Sequence, residues 1–128
     1  MNSVNSMNYF QRRKILKAIS ASDLIPVRVH GHEIVDGKVV ILVPKFQSNW
    51  LHYFFPGVIK LFYKIKLDEI GSLTWENITG DTTVTEITTA VQNQLGEKAR
   101  SFDEAESRVS KFIAILYDWK YVTFRQIM

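Results

Sequence analysis

Three histidines and two pairs of adjacent carboxylates are the residues whose types and spacing could do chemistry in this chain of 128 residues. His30-Gly31-His32 places two imidazoles two residues apart, the spacing that puts side chains on one face of a strand. His52 is a possible third donor for a metal that takes imidazole nitrogens, such as zinc, but it stands at no readable ligand spacing. Exposed strand histidines are therefore the expectation, and no metal or cofactor is assigned. Asp68-Glu69 and Asp103-Glu104 resemble the paired carboxylates of general acid–base catalysis. Both pairs stand where a helix should begin, and negative charge there stabilises the unpaired N–H groups of the first turn. The absence of cysteine removes a thiolate nucleophile, a disulfide framework and a thiolate metal site. No glycine-rich phosphate loop, nucleophile elbow or Ser/His/Asp pattern can be assembled. The expectation is a binding module with no catalytic residue.

The elements that must position a binding surface emerge from local pattern. Residues 8–20 read as a short basic helix, with Phe10, Ile15, Leu16 and Ile19 on an apolar side and Arg12, Arg13, Lys14 and Lys17 as its charge. Pro26–Ile34 and Lys38–Val43 are rich in β-branched residues and flank Asp36-Gly37, a pair suited to a type I′ turn. Residues 44–60 fit neither a strand nor a helical period; their aromatic residues suit a lid on the core ahead of an exposed contact patch, and Trp50 is the tryptophan expected to be exposed. From Leu61 to Leu67 the residues alternate, with Leu61, Tyr63, Ile65 and Leu67 on one side and Phe62, Lys64 and Lys66 on the other. Three helices should come next. Asp68 caps one over 69–78, Thr83 and Glu86 form a capping box for one over 84–95, and Ser101 and Glu104 form another for one over 102–120. Trp75 and Trp119 are expected in the core, the latter on an inner stripe with Ala105, Val109, Phe112, Ile113 and Leu116. Tyr121–Phe124 reads as a short closing strand.

The fold class expected is α+β: a winged-helix-like arrangement of a three-stranded antiparallel sheet followed by three helices, with an extra N-terminal helix. Residues 1–25 form the extension and 26–128 the domain. A composition of 46% hydrophobic and 23% charged residues supports one core. The net charge of +3 is unevenly spread. Residues 1–66 carry ten Lys and Arg against three Asp and Glu, and residues 67–128 carry six against ten. Such polarity steers partners more than it shapes a fold. No apolar run approaches the roughly 20 residues of a membrane span, and the polar start lacks a signal core, so a cytoplasmic location is expected.

Three segments in order carry a family resemblance: Leu67-Asp68-Glu69-Ile70-Gly71-Ser72-Leu73-Thr74-Trp75-Glu76, Thr82-Thr83-Val84-Thr85-Glu86-Ile87 and Val109-Ser110-Lys111-Phe112-Ile113-Ala114-Ile115-Leu116. In this order and spacing the chain resembles the PqqD-like family, also called RiPP recognition elements, over about residues 26–124. The resemblance implies a non-catalytic peptide chaperone. Such a protein binds the leader segment of a ribosomally made precursor peptide as an added strand and presents it to a modifying enzyme, often a radical S-adenosylmethionine enzyme. It does not imply that the product is pyrroloquinoline quinone. Carried over by position, the peptide-binding residues are Phe62, Lys64 and Lys66 on the strand and Arg108, Lys111 and Ile115 on the last helix. The N-terminal helix and residues 44–60 are longer than in minimal members. Two alternatives stand beside this reading: a winged-helix DNA-binding protein and a non-catalytic protein-interaction subunit. Against nucleic acid, Asp103, Glu104 and Glu106 stand at the start of the helix that would have to approach phosphates. An open sheet edge would also permit a homodimer.

Overall fold

The computed structural model describes residues 7–45, 62–96 and 102–128. The aromatic segment 46–61, with Trp50, His52 and Leu61, and the Ser101 cap lie outside the described residues.

Helix α1 (Tyr9–Ala18) begins at Asn8, whose Oδ1 accepts from the Gln11 N–H at 2.8 Å, while Gln11 Oε1 accepts from the Asn8 N–H at 3.0 Å. This reciprocal box satisfies two otherwise orphan donors. Ile15, Leu16 and Ile19 pack against the core, whereas Phe10 is 78% exposed. Five residues before Ile15, Phe10 falls on the far side of a 3.6-residue helix, so it does not share the docked face.

Strand β1 (Pro26–Arg28) does not continue into β2 (Gly31–Val35) as one strand. It pairs antiparallel with β5 (Val122–Phe124) in a separate two-stranded sheet, and the Val29 N–H donates to Tyr121 O. That capture by the C-terminal segment bends the chain at His30. The expected strand over 26–34 is therefore two strands in two sheets. His30 lies in the bend outside β2, and no group of three metal-capable side chains occurs among the described residues.

The main sheet runs β2–β3–β4, antiparallel, with β3 at Lys38–Pro44 and β4 at Phe62–Lys66. Asp36 and Gly37 both have positive φ, 54° and 78°, as the type I′ turn between β2 and β3 requires. Val39, Ile41 and Leu67 are buried on the sheet face that meets the helices.

Helix α2 (Glu69–Glu76) starts at Asp68, whose Oδ1 accepts from the Gly71 N–H at 2.7 Å. A methyl group on Gly71 would stand 3.2 Å from the Phe112 ring, so glycine permits the close approach of α2 to the last helix. Ser72, 3% exposed, joins α2 to the central strand: its Oγ accepts from the Val39 N–H at 2.9 Å. Helix α3 (Val84–Leu95) opens on the expected Thr83/Glu86 box and buries Val84, Ile87 and Val91. Helix α4 (Phe102–Asp118) buries Ala105, Val109, Ile113 and Leu116.

The end of α4 departs from expectation. Lys120 takes φ 66°, and the Tyr121 and Lys120 N–H groups donate to Leu116 O and Tyr117 O at 2.8 and 3.0 Å. These are the two bonds of a Schellman motif, with lysine where glycine is usual. The helix therefore stops at Asp118, and Trp119 is 59% exposed rather than part of the inner stripe. The chain is thus α+β: among the described residues it has a three-stranded antiparallel sheet, three helices after it, one helix before it and a two-stranded closure. Among the described residues no helix is long and apolar enough to cross a membrane.

Candidate functional site

β4 is the strand on which alternation and position combine. It pairs with β3 alone among the described residues, in the register Val40↔Lys66, Ile41↔Ile65, Leu42↔Lys64, Val43↔Tyr63 and Pro44↔Phe62. Its other side carries the N–H and C=O groups of an edge strand. Residues two apart share a face. Phe62, Lys64 and Lys66 therefore stand together on the sheet face away from the helices, and Tyr63 and Ile65 stand on the face toward them.

The outer face is charged but not uniformly free. Lys64 Nζ lies 3.4 Å from Glu33 Oε1 of β2, reaching across β3, with the lysine side chain largely and the glutamate side chain partly exposed. An exposed pair of this kind contributes little to stability, about 0–1 kcal/mol, so Lys64 can exchange Glu33 for another carboxylate. Lys66 is exposed, and no ion pair of it occurs among the described residues. On the inner face Ile65 packs against the core, but Tyr63 is 58% exposed, with Lys45 Nζ 5.2 Å from its ring centre. The sequence pattern assigns Tyr63 to the inward side correctly. It does not register that an edge strand leaves an inward side chain uncovered on one flank. Tyr63 and Lys45 are the residues that sequence reasoning missed, and the position of β4 at the edge is the signal that finds them.

The α4 residues form a second group. Arg108, Lys111 and Ile115 recur at helical spacing, and all three are exposed, Ile115 at 44%. Arg108 Nη2 lies 3.5 Å from Glu104 Oε1, one turn earlier. No hydrogen bond or ion pair joins these residues to Phe62, Lys64 or Lys66 among the described residues. The start of α2 packs on α4 at Gly71 and Phe112. The β4 lysines and the α4 residues lie on different sides of the plane in which a strand added to β4 would sit.

Neither a protein-family model nor a curated protein matches this chain.

Such an arrangement can make main-chain hydrogen bonds along β4 while reading alternate side chains on two different walls. One wall is Phe62, Lys64 and Lys66. The other is Tyr63, with Lys45 over its ring.

Proposed function

We propose that this chain is a non-catalytic peptide-binding module. It takes the leader segment of a ribosomally made precursor as an added strand along β4 and presents it to a modifying enzyme, in the manner of the PqqD-like proteins it resembles. The observation that carries the reading is β4 itself, an edge strand with two lysines and a phenylalanine on one face and a half-exposed tyrosine on the other. Backbone bonds supply affinity without regard to sequence, and the lysines select acidic residues at alternate positions. Arg108, Lys111 and Ile115 serve the opposite wall. Duplex DNA is disfavoured, because Asp103 and Glu104 occupy the first turn of α4.

The test begins with short peptides co-captured by the wild type from source-cell lysate and absent from a Lys64→Glu/Lys66→Glu capture. The strongest is then synthesised and titrated against labelled protein, beside a scrambled version of the same composition. The expected result is at least about tenfold preference for the native order, lost in the double variant, with new protection of β4 amides from hydrogen exchange. Equal affinity for the scrambled peptide, or unchanged β4 exchange, removes the proposal.

A further inference from the structure

A second surface lies away from β4, between α1 and the C-terminal segment. Leu16 from α1, Tyr117 from α4, Val122 from β5, Ile127 and the exposed Val29 line a groove of about 720 Å³. That is within the roughly 300–1,000 Å³ typical of ligand sites. Arg12 and Arg13 of α1 and Lys120 contribute its charge. Asp118 is the acid among the lining residues. Arg13 Nη1 donates to Tyr9 Oη at 3.1 Å, and no ion pair of Arg12, Arg13, Lys120 or Asp118 occurs among the described residues. Three cations against one acid, with no ion pair among the described residues, form a net positive field beside apolar side chains that complements carboxylates flanking an apolar side chain.

The second observation is the backbone at Lys120. Its φ of 66° is the left-handed conformation that glycine takes at this position of a Schellman motif without steric cost. A side chain there crowds the following carbonyl. The chain accepts that strain and carries a cation, Lys120, at the edge of the groove. Strain held by a surrounding motif is characteristic of binding sites.

From these observations we infer that the groove between α1 and the α4–β5 turn docks an acidic peptide segment of a partner protein, its apolar side chain against Leu16, Tyr117 and the exposed Val29 and its carboxylates on Arg12, Arg13 and Lys120. The inference does not use β4 and stands or falls separately from the peptide edge.

The probe is a fluorescein-labelled hexapeptide alternating glutamate with leucine, compared with one alternating lysine with leucine. Fluorescence anisotropy would be measured against the full chain, with amide chemical shifts locating the site. The acidic peptide is expected to bind at least about tenfold tighter than the basic one, to weaken with added salt, and to shift Leu16, Lys120 and Val122. Arg12→Glu/Lys120→Glu should abolish the peptide-induced shifts at Leu16 and Val122, while Lys64→Glu/Lys66→Glu, which removes any binding of the same acidic peptide along β4, leaves those groove shifts unchanged. Lys120→Gly supplies a readout that a purely structural lysine would not give. It should raise the unfolding midpoint while weakening the peptide about threefold. The inference is overturned by equal binding of the two peptides, by shifts confined to β4, or by retained affinity in Lys120→Gly. Binding to phosphatidylglycerol vesicles in place of the peptide, or concentration-dependent dimerisation lost in Arg12→Glu/Lys120→Glu, would likewise overturn it in favour of a lipid surface or a second copy.

Discussion

Trp75 and Trp119 each stand at the C-terminal end of an amphipathic helix, and their surroundings are opposite. Trp75 is fully buried in α2, with the Arg28 guanidinium 5.8 Å over its ring and His32 edge-on at 6.1 Å. Burial lowers the Arg28 pKa from its ordinary value, and the nearby Glu76 carboxylate partly offsets that. Arg28 Nε also donates to Ile78 O at 2.6 Å, fastening β1 to the chain that leaves α2. Trp119 stands edge-on to Tyr121, which in turn stands edge-on to His30. The difference lies in the path the chain takes out of each helix. Beyond α2 it continues inward through Ile78, 1% exposed, toward α3. Beyond α4 it must reverse to pair β5 with β1, and the left-handed residue that makes the reversal turns Trp119 outward. Helical apolar spacing selects candidates for burial, and the path of the next residues decides among them.

The sharpest way to break this comparison is to truncate both rings. Trp75→Ala should lower the urea-unfolding free energy by about 3–5 kcal/mol, and Trp119→Ala by less than about 0.5 kcal/mol. Similar losses at the two positions would end the distinction. A smaller effect tests how the Trp75 side is anchored. Ser72→Ala strips the Val39 N–H of its buried partner and should cost about 1–3 kcal/mol, with no gain from the added helix propensity large enough to hide it. Unchanged stability would mean that α2 is not tied to β3 through this hydroxyl.

The smallest effect concerns the Trp119 side. Burial holds the His30 pKa below its ordinary value. The unfolded chain therefore takes up a proton near pH 6.5 that the folded chain binds less readily. Stability from this residue is present above that pH and is lost as pH falls through it toward the lower folded value. Melting temperatures of the wild type should decline slightly from about pH 7 to pH 5, and His30→Gln should flatten that slope. Parallel slopes would remove His30 from the account.

Much of this architecture is legible in local sequence, because its signals are local. Asp68 caps α2, Thr83 and Glu86 open α3, and Asp36-Gly37 turns β2 into β3, each within a few residues of the structure that it dictates. The alternation on β4 likewise places Phe62, Lys64 and Lys66 on one face, whatever the rest of the fold does. Partnership is the part that escapes. Nothing within Pro26–Arg28 says that its partner is Val122–Phe124, and nothing within Tyr63 says that its strand lies at an edge. Ser72 reads as a poor helix former until Val39 is seen above it. Phe10 reads as docked until the helix period is counted from Ile15. The grouping of Arg108, Lys111 and Ile115 with β4 rests on family resemblance, since side-chain spacing along α4 carries no information about a distant strand.

The pairing of β1 with β5 sets an order of events during synthesis. β1 is made before the main sheet, and its hydrogen-bonding partner only after α4. Until Val122–Phe124 arrive, Pro26–Arg28 have no native ladder, and Ile25 lacks the Gln126 and Arg125 contacts that later hold it. The β2–β3 hairpin and the capped helices form from neighbours in sequence, but closing the wide loop between β1 and β5 waits until Val122–Phe124 have been made. A nascent chain stalled after α4 would therefore expose an unpaired β1 to whatever extended peptide lies nearest.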